Sequence, residues 1–229
     1  MKKNGTLIPV YLILVLLNAG GVAAAAGVSS PQTAPLVIIE NNQNNSANDS
    51  DTIAAGFVQK LGDTVLFSLT PNNIPETQRA EQLRALFRAD FDIQTIGHFV
   101  LGAHWRDASE DQRKEYFRLF EDMIVQTYSD RLTDDPLQSF KVTQVKPSEE
   151  RSRDYIVNTR IVEKNDEEPI NVAWRVRNEN GQMKIVDAVA DGISLSVTQR
   201  SDFDAVIQNG GGKVEALLDS LRRHKSSEQ

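Results

Sequence analysis

The sequence predicts an α+β domain, with helices first, then an antiparallel meander sheet, then closing helices. Three observations carry that expectation. Apolar residues recur at helical spacing from Thr52 to Leu132. The texture changes at Leu137 to an alternation that runs to Asp187. Helical spacing then resumes from Val197 to Leu221. Each element has one apolar face, so the helices are expected on the single apolar face of a four-stranded sheet.

Two segments precede this domain. Lys2 and Lys3, the apolar run Leu7–Leu17 and the small residues Ala23–Ala26 predict a signal peptide over residues 1–26. A retained anchor is the other reading, although the apolar run is shorter than the roughly 18–20 residues of a span. Residues 27–51 are expected to be a disordered linker, because NNQNNSANDSD buries too little apolar area to order itself. Leu36–Ile39 interrupts that polarity. The folded domain is expected over 52–225, with a disordered tail at 226–229.

The first helix should place Ile53, Phe57, Leu61 and Val65 on one face and stop at Pro71. A second should start near Pro75-Glu76 and bury Leu83, Leu86 and Phe87. A third should cover Ile93 to Leu101, with Gly102 as its C-cap. Trp105-Arg106 should form a hinge. Ser109 and Gln112 read as a capping box for a long helix burying Phe117, Phe120, Ile124, Tyr128 and Leu132. The first strand carries Phe140 and Val142. Tyr155, Val157, Thr159 and Ile161 share a face of the second, and Ile170, Val172, Trp174 and Val176 a face of the third. Met183, Ile185 and Asp187 should align on the fourth. Glu163–Pro169 is expected as a longer turn and Asn178–Gly181 as a hairpin.

Composition excludes several functions. The 229 residues include no cysteine, which removes thiol catalysis, disulfides and thiolate metal sites. The net charge of −7 suits neither nucleic acid nor unaided adhesion to anionic membranes. His98 and His104 lack metal-ligand spacing. No stretch after the N-terminus is long and apolar enough for a membrane helix, so the mature chain is expected to be soluble.

Two blocks carry a resemblance. Residues 90–132 hold Phe91-Asp92, Leu101-Gly102, Trp105-Arg106 and the Phe117, Phe120, Tyr128 helix. Residues 187–203 hold Asp187, Gly192–Leu195, Arg200 and Phe203. With Trp174 between them, these resemble the MlaC family, also called the toluene-tolerance family, over residues 52 to about 223. The sequence also resembles its hopanoid-associated branch.

The resemblance implies a periplasmic phospholipid carrier with no cofactor, its cargo being the lipid. Its expected partners are an outer-membrane lipoprotein complex and an inner-membrane ABC transporter with a substrate-binding ring. It also implies a cavity between sheet and helices for the acyl tails. Each buried methylene contributes about 0.8 kcal/mol, so two acyl chains carry roughly 20 kcal/mol and need enclosure. The candidate walls are Tyr155, Val157, Trp174, Val176 and Ile185, with Leu101, Tyr128, Ile193 and Leu195 opposite. Periodicity alone reads the same residues as ordinary core.

Trp105-Arg106 either frames the cavity mouth, with Arg106 near a phosphate, or is a packed ring and a salt bridge. Asp187 is expected inward and paired with Arg200 or Arg106, as a structural ion pair or a headgroup contact. Two rival classes remain at this stage. One is an enzyme with Asp187 as base in a cone-shaped apolar pocket. The other is an adaptor with a filled core.

Overall fold

In the computed structural model, residues 43–70, 74–150 and 153–226 are described. The signal peptide and most of the linker, including Leu36–Ile39, lie outside them, as do Pro71 and the end of the tail. Backbone contacts divide the chain into two units, Met1–Ser50 and Asp51–Gln229. Apart from the first eight residues of α1, all that follows concerns the second unit.

Among the described residues, six α-helices and five strands follow in blocks: α1 Gln43–Thr64, α2 Glu76–Asp90, α3 Ile93–Leu101, α4 Glu110–Asp134, β1 Leu137–Pro147, β2 Asp154–Glu163, β3 Asp166–Glu179, β4 Gln182–Ala190, β5 Ile193–Ser194, α5 Leu195–Asn209 and α6 Val214–Ser226. The sheet is an antiparallel meander in the order β1-β2-β3-β4-β5. It therefore has five strands rather than the expected four. The extra strand follows a tight turn in which Asp191 and Gly192 both take positive φ.

Helix α1 starts nine residues before Thr52, inside the stretch expected as linker. Extending a formed helix adds one bond per residue fixed, so even a poor sequence can prolong it. Its buried stripe is Ala54, Val58 and Leu61, while Ile53 is 56% exposed. A π-helical turn, Val65–Leu69, continues it. Arg79 donates to the Leu69 carbonyl at 3.0 Å and so holds the end of that turn to α2.

The local stop and start signals act as expected. Gly102 takes φ 58° after α3, and its amide donates to the His98 carbonyl. A 3-10 turn, Gly102–Trp105, forms the hinge. The Ser109 hydroxyl accepts from the Gln112 amide at 3.2 Å, and the Ser109 amide donates to Gln112 Oε1 at 3.0 Å, completing the capping box. Asn180 and Gly181 both have positive φ in the β3–β4 hairpin. The β2–β3 connection, in contrast, is only Lys164-Asn165, because Glu163 pairs with Asp166. Asn165 ties this tight turn to the Asp134 carbonyl at 3.0 Å.

Two apolar cores result. One lies between the sheet and α1, α2 and α4, built on Val58, Phe87, Val125, Phe140, Val157, Val176 and Ile185. The other joins α3, α4, α5 and α6 through Leu101, Tyr116, Phe120, Phe203 and Leu217. Helix α4 serves both, so its buried residues surround more of its circumference than a single stripe would. Tyr116, Leu119 and Met123 are buried as well as Phe120 and Leu132, whereas Phe117 and Ile124 are only partly buried.

Candidate lipid-binding cavity

The sheet-side core contains the groove. On the sheet, Val157 pairs with Trp174, Tyr155 with Val176, and Val176 with Ile185. Direct cross-strand partners share a face, so these five predicted wall residues do come together. Val157, Val176 and Ile185 are 0% exposed in the packed core, and Tyr155 and Trp174 are partly buried against it.

Trp174 is fixed from three directions. Its indole Nε1 donates to Thr159 Oγ1 at 2.9 Å, and that hydroxyl donates to the Val172 carbonyl at 3.1 Å. Phe91 meets its ring edge-on at 6.4 Å, and Phe140 lies tilted at 6.3 Å. An aromatic chain runs on from Phe91 to Phe87 at 4.8 Å, and from Phe87 to Tyr128 at 5.6 Å. Sheet and helices thus meet through rings.

Tyr128 stands at the α4 end of this chain of rings. It lies on α4 one turn after Ile124 and one turn before Leu132, both of which pack into the sheet-side core. Its surface is 40% accessible, yet burial pushes its phenol pKa up, against a small opposing effect of Arg131.

The seam between α1 and β1 closes one side. Gln59 donates to the Phe140 carbonyl at 3.3 Å and accepts from the Val142 amide at 3.1 Å. It thereby satisfies the exposed strand edge as a neighbouring strand would. A Cβ on Gly62 would lie 2.0 Å from the Phe140 ring, so only glycine lets the ring approach this closely. At the far end, Arg131 Nη2 donates to both Glu163 carboxylate oxygens at 2.9 and 2.8 Å, clasping α4 to β2.

The other predicted site residues lie elsewhere. Leu101 and Trp105 belong to the helical core. The Trp105 ring packs on His98 at 4.7 Å and Phe117 at 5.6 Å, beneath the Arg113 guanidinium at 4.8 Å. Ile193 is exposed and Leu195 half-buried where β5 meets α5. Arg106 is exposed. Arg200 lies over the Phe99 ring at 5.2 Å and against Gly102.

Asp187 corrects an expectation of side. A bulge at Val186 moves the register, so Val176 pairs with Ile185 but Arg175 pairs with Asp187. Asp187 therefore faces away from Ile185 and the cavity wall. Its carboxylate accepts from Ser194 Oγ at 2.8 Å, Ser196 Oγ at 2.5 Å and the Ala188 amide at 2.9 Å. It fixes the entry to α5, and its bonds are to hydroxyls and amides instead of the expected arginines. The outward sheet face also holds a carboxylate, Asp154, 1% exposed and paired with Arg177 at 2.8 Å.

Sequence reasoning did not place Phe87, Phe91 and Phe140 in ring contact with Trp174 and Tyr128. Phe140 was signalled by strand alternation, but its contact with Trp174 spans three strands. Phe91 sits between two helices and bridges to Ile185, an arrangement without local periodicity. His98 and His104 are structural, the latter 2.6 Å from Asp204. Among the described residues no group of three or more histidines and carboxylates is placed to hold a metal ion.

Comparison with known proteins follows the same outline. Residues 38–223 match the family model described as MlaC protein. The intermembrane phospholipid transport system binding protein MlaC of Haemophilus influenzae is 24% identical over 178 residues, which cover 74% of this chain and 81% of that protein. A phospholipid-binding protein from Ralstonia solanacearum, solved in complex with a phospholipid, superposes with a TM-score of 0.62 at 21% identity. The match covers 76% of this chain and 97% of that one, and at this identity it shows a shared fold.

Proposed function

The chain belongs to the MlaC protein family, and from that premise we propose that it is a periplasmic carrier that moves phospholipid between membranes. The observation that carries this reading is the ring-lined groove between sheet and helices, where Phe91 and Phe140 meet Trp174 and Phe87 meets Tyr128. The acyl tails lie along Tyr155, Val157, Trp174, Val176 and Ile185, under Phe87, Phe91 and Phe140. The polar headgroup stays toward water. Two proteins that it resembles, one in sequence and one in fold, are named for phospholipid, the second solved in complex with it.

The carrier makes and breaks no covalent bond. An enzyme reading would need Asp187 as a base in the apolar pocket, but Asp187 lies on the other sheet face and is saturated by serine hydroxyls and amides. Enclosure gives the tails about the same stabilisation per methylene as a bilayer does. Transfer is then near balance, so partners set its direction. We assign those partners as an outer-membrane lipoprotein complex and an inner-membrane ABC transporter with a substrate-binding ring. Export through residues 1–26, cleaved after Ala26, places the carrier between them. Leu101, Trp105, Ile193 and Leu195 are framework residues in this reading, as is Arg200 on the Phe99 ring, and the exposed Arg106 meets headgroup or partner.

The test is extraction of a fluorescent phospholipid from donor vesicles by the purified protein, followed by delivery to acceptor vesicles. The reading predicts protein-dependent transfer saturating near one lipid-loaded site per chain. No protein-bound lipid at any ratio would contradict it. Parallel vesicles carrying a hopanoid in place of phospholipid decide whether the cargo belongs to the hopanoid-associated branch.

A further inference from the structure

The sheet face turned away from the core is basic, although the chain as a whole carries a net charge of −7. Val157 is buried in the core, so the alternate residues Ile156, Asn158 and Arg160 of β2 point outward. Register extends that face across the sheet. Lys141 pairs with Arg160 and Arg160 with Asn171, while Lys146 pairs with Ile156 and Ile156 with Arg175. Arg177 pairs with Lys184 on the same face. Lys141, Lys146 and Arg160 are exposed.

Two of these pairs set like charges directly opposite each other, which destabilises a sheet. The protein relieves one of them. Arg177 donates to the buried Asp154 at 2.8 Å, and Lys184 donates to the Arg88 and Ala89 carbonyls at the end of α2. Arg175 is likewise met by Glu150 at 2.9 Å. Lys141 and Arg160 have no such relief. Among the described residues, neither they nor Lys146 takes part in an ion pair.

We propose that this face docks on an anionic lipid surface, with Lys141 and Arg160 at the centre of the contact. Charge complementarity selects an anionic partner, and the rest of the face selects a membrane over an acidic protein. Between the cations lie Gln144, Asn158, Asn171 and Ala173. Among the described residues, none of the exposed large hydrophobic side chains belongs to β1, β2 or β3. A protein interface is anchored by large side chains buried at its centre, whereas headgroups need only charge. The cations are also spread, Lys146 lying about 15 Å along β1 from Lys141, farther than one compact anion reaches. The negative net charge keeps other faces away, so the patch fixes which side meets the surface. The proposal goes beyond the carrier reading, because it assigns an approach surface and leaves the cargo to the cavity.

The experiment is co-sedimentation of the full mature chain, at low ionic strength, with two kinds of vesicle. One is phosphatidylcholine alone, and the other is three parts phosphatidylcholine to one part phosphatidylglycerol. The wild type is expected to bind the second more tightly and to lose that preference at high salt, as the charges are screened. The double variant Lys141→Gln, Arg160→Gln is expected to bind the anionic vesicles about twentyfold more weakly, about fivefold for each cation removed. The double variant Lys114→Gln, Lys213→Gln removes the same charge from exposed positions on α4 and before α6, and is expected to bind as the wild type does. The first variant should also keep its extraction of lipid from phosphatidylcholine vesicles. Its thermal midpoint should not fall, since an opposed like-charge pair is relieved.

A wild type indifferent to phosphatidylglycerol overturns the proposal and would leave an acidic protein as the occupant of the face. Anionic binding that survives in Lys141→Gln, Arg160→Gln overturns it, as does an equal loss in both double variants, which would assign the effect to net charge. Failure of the wild type to extract lipid from phosphatidylcholine would instead refute the carrier reading, and leaves the comparison between vesicles to decide this one.

Discussion

Trp174→Arg should empty the cavity while leaving a folded protein. The ring is partly buried, so its removal costs less than a closed-core truncation. It contributes two aromatic pairs, with Phe91 and Phe140, each of about 0.5–1.5 kcal/mol beyond area burial. Thr159 keeps its bond to the Val172 carbonyl, so no buried hydroxyl is orphaned. With some lost packing, the cost to folding is about 2–4 kcal/mol, below the 5–15 kcal/mol of a typical domain. Binding suffers more. A tail entering the groove would have to strip water from a guanidinium with no carboxylate set to receive it. A penalty of only 3 kcal/mol lowers affinity by more than a hundredfold. The assay combines lipid extraction of the purified variant with circular dichroism and a thermal melt. A folded Trp174→Arg carrying the wild-type amount of lipid would refute Trp174 as a wall.

Three further outcomes follow from the same structure. Gly62→Val should lower the thermal midpoint, by about 1–3 kcal/mol of overpacking, because its side chain must displace the Phe140 ring; an unchanged melt would show that the α1–β1 seam yields freely. Asp187→Ala should destabilise by roughly 1–3 kcal/mol as Ser194 and Ser196 lose their acceptor, yet leave lipid loading intact; lost loading in a folded variant would restore Asp187 to the site. The hydrogen bond from Arg222 holds the Glu115 and Glu215 carboxyls below the ordinary value of 4.5, with Gln112 adding to the effect on Glu215. Depressed carboxylates contribute stability above their unfolded pKa and lose it as pH falls through the folded one. The melting difference between wild type and Arg222→Ala should therefore be present at pH 7, shrink as pH falls below 4.5 and vanish once both carboxyls are protonated in the folded state. A difference that persists under acid would point to packing by the arginine stem instead.

What was legible in the sequence was what one element encodes by itself. The capping box at Ser109 and Gln112, the stop at Gly102 and the Asn180-Gly181 hairpin depend on neighbours within four residues, and each formed as read. That Tyr155, Val157, Trp174 and Val176 share one sheet face followed from alternation on undistorted stretches of β2 and β3. The reading failed where a single inserted residue changed the parity. The Val186 bulge turned Asp187 to the other face, and nothing in the composition of Lys184–Ala188 marks it. The helices posed a different difficulty. Leu101 and Trp105 were apolar and well spaced, but α4 has two apolar sides, and which core each neighbour joins is set by tertiary packing. The short strand β5 had a local signal in Asp191-Gly192 that was subsumed in a longer motif.

The central claim is that the space between sheet and helices holds a lipid. Native mass spectrometry of residues 27–229, purified from a bacterial periplasm without detergent, addresses it most directly. The account predicts a protein mass raised by one phospholipid, released intact on activation and identified by its headgroup and acyl fragments. A bare protein mass, persisting after incubation with phospholipid vesicles, would contradict it and leave the family resemblance as a matter of fold.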